Sequence, residues 1–294
     1  MSSDVTTRRP FHLGRWFART GWRHLVGVIM VIFSVFPLLY VLSASLNPRG
    51  TITGSNALFA HIGLDAYVRI LTDPVYPYPA WFANTLLIAG ITAVLTVFLG
   101  ALAAYAFSRM RFTGRRFGLI TIVVIQMFPQ LLAVVAIFLL MSWIGDLFPA
   151  IGLNSRLGLM MVYLGGALGV NTFLMYGFFN TIPTSIDEAA KIDGAGHARI
   201  FFTIILRLVM PILAVVALLS FITSVNEYVV ASVILIDPEN KTLAVGLTQL
   251  VSNPRYADWS AFAAGAVMAA LPVMALFLFL QKYIVGGLTA GAVK

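Results

Sequence analysis

Apolar residues dominate the chain in six long stretches that shorter polar segments separate. The stretches run approximately over residues 24–46, 83–107, 117–141, 157–179, 208–236 and 262–285. Each is long enough to cross roughly 30 Å of hydrocarbon at about 1.5 Å per residue. Because a bilayer offers no water to the peptide groups, each stretch is predicted to be a helix. The pattern predicts an all-α polytopic membrane protein with six transmembrane helices.

Four prolines interrupt or border these stretches. Pro37, Pro129, Pro211 and Pro272 lie inside or at the ends of the predicted helices. A proline removes one hydrogen bond from a helix, and the neighbouring helices of a bundle tolerate the resulting kink. We therefore expect kinked membrane helices joined by loops, of which residues 47–82 form the longest.

The composition agrees with a membrane protein and excludes several soluble classes. Hydrophobic residues make up 60% of the 294 residues and charged residues only 10%. Soluble domains carry about 25% charged residues. The composition therefore excludes a soluble enzyme, a disordered chain and a disulfide scaffold. The sequence has no cysteine, which also excludes a thiolate metal site.

The formal net charge of +8 is distributed unevenly along the chain. Of the 19 lysines and arginines, five precede residue 24, four lie in 108–116, three in 180–207 and two near the C-terminus. The positive-inside rule predicts that these segments and both termini are cytoplasmic. The charge is therefore interpreted as an orientation signal and not as a nucleic-acid footprint. The predicted layout is a cytoplasmic tail over 1–23, a membrane domain over 24–285 and a second cytoplasmic tail over 286–294.

The N-terminal segment Arg8-Arg9-Pro10-Phe11 superficially resembles a twin-arginine export signal. The apolar segment after it is long, lacks a clear A-x-A cleavage site and precedes five further spans. We expect a retained first helix, with the arginines holding the tail inside.

The sequence offers no arrangement that is typical of a catalytic or metal site. No lysine follows a glycine, so the phosphate-binding GxxxxGK[ST] loop is absent. The four histidines are scattered and form no HExxH pair. We expect no catalytic residue, no metal ligand and no cofactor bound by this chain.

The polar segment 180–207 contains a predicted short helix. Ser185 and Glu188 have the S-x-x-E spacing of a capping box, which predicts a helix that begins near Ile186. Gly194 fits the glycine that ends a helix, so the helix is about eight residues long. The adjacent Ala189 and Ala190 would give it a face that a partner can approach closely. A solvated amphipathic connector is the other interpretation of these residues.

Eight consecutive residues of this segment carry a specific resemblance. They are Glu188-Ala189-Ala190-Lys191-Ile192-Asp193-Gly194-Ala195, followed by Phe201, Ile204 and Pro211. They resemble the EAA loop of ABC-importer permease subunits, in which a short helix docks into the ATPase subunit and passes its movement to the membrane helices. The resemblance implies a coupling helix at about 185–195 and coupling roles for Glu188, Ala189, Ala190, Asp193, Gly194 and Ala195. Arg207 stands where the family often has proline, so the start of the fifth membrane helix is expected to be less kinked.

Further segments are similar to the smaller permease subunit of bacterial maltose/maltodextrin importers, within the carbohydrate type. They are Ala104–Phe112, Gln126–Pro129, Ile151–Asn154, Thr242–Leu247 and Gly287–Lys294. The resemblance implies a type I ABC-importer permease fold in the bacterial cytoplasmic (inner) membrane. The implied partners are a homologous second permease, two ATPase subunits that bind ATP and Mg, and an extracytoplasmic sugar-binding protein.

The resemblance also suggests two further contact regions. Leu288, Thr289, Ala290 and Gly291 would enter the interface between the ATPase subunits as a slim extended strand, unless they form only a frayed terminus. Ser252, Asn253, Pro254, Arg255 and Tyr256 would form the tip of an external loop that enters the binding protein, unless this is an ordinary turn. The loop 47–82, with Trp81 and three tyrosines, would lie on the same outer face, either against the binding protein or as an interfacial anchor.

Glu227 is the ionisable residue that lies well inside a predicted span. A charge in hydrocarbon is costly, so it should face a partner, a cavity or water. Ser220, Thr223 and Glu227 have i, i+3, i+7 spacing on one helical face, and Asn226 lies beside them. These four residues are the predicted pathway candidates. Hydrogen bonds between helices are the other explanation.

The function expected from these features is that of a permease subunit of an ATP-driven sugar importer. It would form half of an alternating-access pathway for maltose/maltodextrin-type oligosaccharides. Trehalose or another oligosaccharide is the alternative substrate. An ion-coupled secondary transporter is the alternative class, and it would require an inverted repeat and several buried ionisable groups.

Overall fold

The computed structural model describes residues 17–48 and 57–292, and every regular element in these ranges is helical. The first six helices are α1 (Trp22–Ser45), α2 (Asp65–Thr72), α3 (Tyr78–Arg109), α4 (Arg115–Gln126), α5 (Gln130–Leu147) and α6 (Arg156–Phe179). The next six are α7 (Ser185–Ile192), α8 (His197–Leu208), α9 (Met210–Asn226), α10 (Val229–Ile234), α11 (Leu243–Ser252) and α12 (Trp259–Ala292). Short 3₁₀ turns lie at Pro149–Ile151 and Pro238–Asn240, and π-helical turns at Phe17–Gly21 and Ile200–Ile205.

Four helices of the described chain are long and apolar enough to cross a membrane by themselves: α1, α3, α6 and α12. The pairs α4–α5 and α8–α9 also qualify, each as one bent span, which gives up to six spans. The six predicted stretches are therefore found as helix, and the all-α polytopic prediction is confirmed.

The third predicted stretch is broken and not merely kinked, and a second break lies at the start of the fifth. The axes of α4 and α5 differ by 101°, and those of α8 and α9 by 78°. The first break lies just before Pro129, because proline lacks the N–H of a continuing helix and disfavours helical backbone in the residue before it. The second lies at Val209, and Pro211 occupies the first turn of α9. The expectation of a straighter start caused by Arg207 was therefore wrong, since the chain breaks at Val209, only two residues after Arg207.

Several predicted boundaries also move. The long loop over 47–82 contains α2, and α3 begins at Tyr78 instead of residue 83. The backbone of residues 286–292 continues α12, so the expected extended strand is wrong for the chain alone. A helix satisfies its own backbone groups without a partner surface, whereas an extended strand needs one.

Helix α3 forms the centre of the bundle and packs against α6 and α9. Gly100 permits close contact with α6, because a Cβ at this position would overlap the end of the Met175 side chain. One buried cluster at the C-terminal end of α3 joins Tyr105, Phe179 and Phe201 with Ala190 of α7. We call this end of the bundle the α7 end, and the opposite end, where α3 starts beside α2 and α11, the α11 end.

The α11 end is held by the first turns of α3. Trp81 is fully buried and donates a hydrogen bond from Nε1 to the Pro238 carbonyl at 2.7 Å. Its indole packs on Gly246 of α11, where a Cβ would overlap the ring. Tyr78 is buried as well and donates to the Gly265 carbonyl at 3.0 Å. The expectation that Trp81 contacts the binding protein or serves as an interfacial anchor is therefore wrong, because its ring fills the space between α3 and α11.

Candidate functional site

The short helix α7 has the predicted length and end. It covers eight residues, Ser185–Ile192, and the chain then turns at Gly194 with φ of +80°. The Ala195 N–H donates to the Ala190 carbonyl at 2.9 Å, and the Gly194 N–H donates to the Lys191 carbonyl at 3.0 Å. Glycine adopts this left-handed backbone without steric cost, which explains the sharp stop.

The start of α7 differs from the predicted capping box. Thr184 is the N-cap residue, has helical backbone angles and makes no side-chain cap hydrogen bond. The Glu188 N–H instead donates to the Thr184 carbonyl at 3.0 Å, and Ser185 is already helical. Because the turn at Pro183 begins the helix one residue early, Ser185 cannot serve as the cap.

The two sides of α7 have opposite environments. Asp187 and Ala190, at i and i+3, are buried against the bundle. Glu188, Ala189 and the residues at the end of the helix are exposed, and the Ile192 side chain is 86% exposed. The expectation that both alanines face a partner is therefore wrong for Ala190, which belongs to the buried cluster. An exposed isoleucine beside an exposed alanine gives the outer face an apolar patch.

A buried ion pair attaches α7 to α3. Arg109 Nε lies 3.0 Å from Asp187 Oδ2, and the two side chains are only 5% and 7% exposed. Arg109 Nη2 also donates to the Ile182 carbonyl at 2.8 Å. Asp187 was not among the site residues predicted from the sequence. The feature that could have indicated it is its i, i+3 spacing with Ala190, which places both residues on one helical face.

A cavity of about 380 Å³ lies between α5, α6, α9 and the start of α10. Its wall is mostly apolar. The polar side chains that line it are Tyr163 and Asn171 of α6, Ser220, Thr223 and Ser224 of α9, and Glu227. Asn171 Nδ2 donates to Ser220 Oγ at 3.1 Å and so links the two walls. Three of the four predicted pathway residues thus share one cavity, and the sequence analysis missed Tyr163 and Asn171, which are polar residues within a predicted span.

Asn226 does not line this cavity. Its side chain is exposed and donates from Nδ2 to the Ile222 carbonyl at 2.9 Å. Asn226 is the last residue of α9, and Glu227 after it has extended backbone. The predicted helical face therefore stops one residue before Glu227.

Glu227 lies at the break between α9 and α10 and accepts three hydrogen bonds. Its Oε2 accepts from the Tyr163 hydroxyl at 2.7 Å and from the Ala231 N–H at 2.9 Å. Its Oε1 accepts from the Val230 N–H at 2.8 Å. The carboxylate caps α10 and joins it to α6, which compensates for taking the charge out of water. The side chains around this cavity include no lysine, arginine or histidine.

The predicted external turn forms an exposed corner at the α11 end. The turn runs from Ser252, the last residue of α11, to Tyr256, and Asn253 Oδ1 accepts from the Arg255 N–H at 3.0 Å. The Tyr256 N–H donates to the Asn253 carbonyl at 3.0 Å. The Asn-Pro pair thus forms the turn that its sequence indicated.

Hydrogen bonds from Asn154 and Asn84 also hold this end of the bundle together, and the sequence did not indicate them. Asn154 has a positive φ of 59°, and its Oδ1 accepts from the Asp237 N–H at 3.0 Å. Its Nδ2 donates to the Asp237 carboxylate. Asn84 of α3 donates to the Glu239 carbonyl at 2.7 Å. These bonds fix the segment before α11 to the start of α3, through Asn84, and to the turn before α6, through Asn154.

Comparison with known proteins defines the class of this chain. Residues 96–289 match the family described as binding-protein-dependent transport system inner membrane component. The chain belongs to this family. It is a membrane-integral permease, as the resemblance of the EAA-like segment indicated.

Curated relatives of the permease span nearly its whole length. The maltodextrin transport system permease protein MdxG of Bacillus subtilis is 41% identical over 92% of this chain and 95% of its own. The galactooligosaccharides transport system permease protein GanQ of the same species is 37% identical over 100% of both chains. The maltose/maltodextrin transport system permease protein MalG of Escherichia coli K12 is 40% identical over 94% of this chain and 96% of its own.

A solved structure has the same fold as the permease. It is a chain of a bacterial ABC transporter involved in the import of the acidic polysaccharide alginate. The match has a TM-score of 0.77 and 26% identity, and it covers 93% of this chain and 99% of that chain. The predicted type of fold is therefore confirmed.

Three predicted regions fall partly outside the described residues. Residues 1–16 of the predicted N-terminal tail and 49–56 of the predicted loop 47–82 lie outside them. For Leu288, Thr289, Ala290 and Gly291 the structure describes the helical backbone but not the side chains. Among residues 17–48 and 57–292, no three His, Asp or Glu side chains are grouped as metal ligands.

Proposed function

We propose that the permease forms half of the membrane pathway of an ATP-driven importer of neutral oligosaccharides, with maltodextrins as the first candidates. Its relatives MdxG and MalG bear the names of maltodextrin and maltose systems, and GanQ that of a galactooligosaccharide system. ATP and Mg would be bound by two partner ATPase subunits. Their closure would switch the pathway between its two orientations, which differ in their affinity for the sugar.

The observation that carries this proposal is that one side of α7 is buried against the bundle and the other side is exposed. Its inner side is held to α3 by the Arg109–Asp187 pair, and its outer side presents Ala189 and Ile192. A helix attached in this way moves together with the bundle. Glu188, Ala189, Asp193, Gly194 and Ala195 would meet the ATPase, whereas Ala190 would support the helix from inside.

Helix α1 supports the assembly of this chain with a homologous second permease. Its only buried residues are Ser43, Ala44 and Ser45 at its C-terminal end. The preceding apolar turns, including Phe33 and Leu38, are exposed. In the assembled importer these turns would pack against the second permease or the lipid bilayer. Both chain ends would be cytoplasmic, in the inner membrane of a bacterium.

The turn over residues 252–256 would meet the extracytoplasmic sugar-binding protein. It is exposed, and it lies at the end of the bundle opposite α7. The ion pair between Arg69 and Asp258, at 2.8 Å, holds the chain just after it. At the other end, Leu288, Thr289, Ala290 and Gly291 would enter the ATPase interface, and a change from helix to an extended strand would accompany that docking.

The cavity supports a neutral substrate. Ser220, Thr223 and Glu227 offer hydroxyl and carboxylate groups that suit sugar hydroxyls, and no cation balances the carboxylate. An acidic sugar such as a uronate would be repelled by Glu227. This chemistry does not distinguish maltodextrins from trehalose or galactooligosaccharides, which therefore remain the alternative substrates.

The test is a comparison of sugars in two assays. The co-purifying solute-binding protein is titrated with maltodextrins, trehalose, galactooligosaccharides and alginate oligosaccharides. The importer is then reconstituted, and uptake of each sugar is measured with and without ATP. We expect ATP-dependent uptake of a neutral oligosaccharide. Uptake by the chain alone that follows an ion gradient would instead indicate a secondary transporter, and preferred uptake of alginate would contradict the neutral substrate.

The coupling role has its own test. Ile192→Asp places a charge on the outer face of α7 without disturbing the buried side, so we expect loss of the ATPase subunit during purification. Val68→Asp, on the exposed face of α2 at the opposite end, is the control and should retain it. Retention of the ATPase subunit by the Ile192→Asp importer would contradict docking through α7.

A further inference from the structure

A second cavity, lined mostly by polar residues, opens at the α7 end. It lies between α7 and the link that joins α3 to α4. Its volume is about 640 Å³. Arg109, Arg111 and Arg115 line it from the link and the helix ends on either side of it. Asp187, Glu188 and Lys191 line it from α7. The proposed transport pathway does not pass through it.

The charges of this cavity do not balance. Arg109 and Asp187 neutralise each other in the buried ion pair. Within the described residues, Arg111 and Lys191 form no ion pair, and Arg115 donates only to the Tyr176 hydroxyl, at 3.4 Å. Glu188 is the single remaining carboxylate. Three cations against one anion leave a surplus of two positive charges, which favours an anionic ligand.

The location of the cavity indicates which anion it meets. Helix α3 ends at Arg109 and α4 begins at Arg115, and both contribute to candidate membrane spans. The link therefore lies where hydrocarbon gives way to lipid headgroups. Helix α4 buries none of its residues, and Phe117, in its first turn, is exposed. An apolar surface for an acyl chain thus lies directly beside the basic cavity.

We propose that this cavity binds the phosphate headgroup of an anionic phospholipid, whose acyl chains lie along α4. Arg111 and Arg115 would hold the phosphate through their guanidinium forks, and Lys191 would add a third cation from α7. Basic pockets between membrane helices recognise anionic headgroups in this way. Because the ligand would touch both the α3–α4 link and α7, its occupancy would bias the position of the coupling helix.

The test measures lipid retention by the complete importer in detergent. Bound phosphatidylglycerol and phosphatidylcholine are counted by native mass spectrometry during titration with each lipid. We expect preferential binding of phosphatidylglycerol, reduced about fivefold for each arginine that is removed, which corresponds to about 1 kcal/mol. The variant is Arg111→Gln/Arg115→Gln. Arg111→Lys/Arg115→Lys keeps the charge and should retain most of the binding.

Arg116→Gln is the matched control. Arg116 is exposed, belongs to the first turn of α4 and does not line the cavity, so its loss should leave phosphatidylglycerol retention unchanged. The proposal would be overturned if the Arg111→Gln/Arg115→Gln importer retained as much phosphatidylglycerol as the unchanged importer. It would also be overturned if phosphatidylcholine bound as well as phosphatidylglycerol. Displacement of the lipid by millimolar inorganic phosphate would overturn it in favour of a free-anion site. Loss of the ATPase subunit with unchanged lipid retention would overturn it in favour of a protein contact.

Discussion

Arg109 and Asp187 form the buried contact through which α7 is fixed to α3, the central helix of the bundle. Their charged atoms are 3.0 Å apart, and both side chains are almost fully enclosed. Burial of one such charge without its partner is strongly unfavourable, because neither water nor a counterion replaces the lost contact. The pair therefore determines where the inner face of α7 lies.

We expect Arg109→Met or Asp187→Leu alone to lower the free energy of unfolding by about 3–5 kcal/mol, since each leaves one buried charge unpaired. The double variant Arg109→Met/Asp187→Leu should recover most of that loss. Thermal unfolding of the purified permease in detergent measures all three. If the double variant lost as much unfolding free energy as the two single variants together, a direct interaction between Arg109 and Asp187 would be contradicted.

The pair between Arg69 and Asp258 is the control. Its charged atoms are 2.8 Å apart, but its side chains are 39% and 28% exposed. Solvent screens such a pair, so Arg69→Met should change the unfolding free energy by only about 0–1 kcal/mol. A loss at Arg69 equal to that at Arg109 would show that burial is not the deciding factor.

Gly194 and Gly196 provide a second matched comparison, at the end of α7. A Cβ would meet no atom within 4 Å at either position, but Gly194 has φ of +80° whereas Gly196 has φ of −76°. Gly194→Ala should cost about 1–2 kcal/mol through left-handed strain, and Gly196→Ala should be nearly neutral. We expect the Gly194 variant to lose more ATP-driven uptake as well. Equal effects of the two substitutions would contradict a role for the turn.

The sequence predicted the membrane helices and the end of α7 because both depend on local chemistry. A long apolar stretch can satisfy its peptide groups in a bilayer only as a helix, and Gly194 permits a backbone that other residues avoid. Pro129 and Pro211 predict kinks in their helices. The sequence alone did not indicate that they would separate helix axes by 101° and 78°. Bend angles depend on how neighbouring helices pack against each side of a break.

The contacts that hold the candidate sites together were harder to predict because they join distant residues. Asp187 meets an arginine that lies 78 positions earlier, and Asn154 binds a segment more than 80 positions later. For Trp81 the sequence favours an interfacial anchor or a contact with the binding protein, because aromatic residues are frequent at membrane interfaces. Its burial depends on Gly246, which leaves room for the indole on α11.

This close contact gives a third prediction. Gly246→Ala should destabilise the permease by about 1–3 kcal/mol, because its Cβ would overlap the Trp81 indole and force a shift in a packed core. Gly90→Ala is the control, since a Cβ there would meet no atom within 4 Å. Unfolding in detergent distinguishes them. A Gly246 variant as stable as the Gly90 variant would show that the α3–α11 contact adapts freely.

Glu227 joins two roles that substitutions can separate. Its carboxylate accepts from Tyr163, Val230 and Ala231, and it also lines the cavity. Glu227→Gln replaces one acceptor oxygen with a donor, so a buried N–H or O–H loses its partner at a cost of about 1–3 kcal/mol. Tyr163→Phe removes one hydrogen bond but keeps the carboxylate and should cost about 1 kcal/mol.

Thr223→Val tests the pathway role without the cap, because the Thr223 side chain lines the cavity and is nearly the same size as valine. Uptake of a neutral oligosaccharide is measured per folded importer, beside unfolding in detergent. We expect Glu227→Gln to lower both uptake and stability, and Thr223→Val to lower uptake alone through a higher KM. If uptake per folded importer is unchanged in both variants, Glu227 is only the cap of α10, and the sugar follows a path that this cavity does not line.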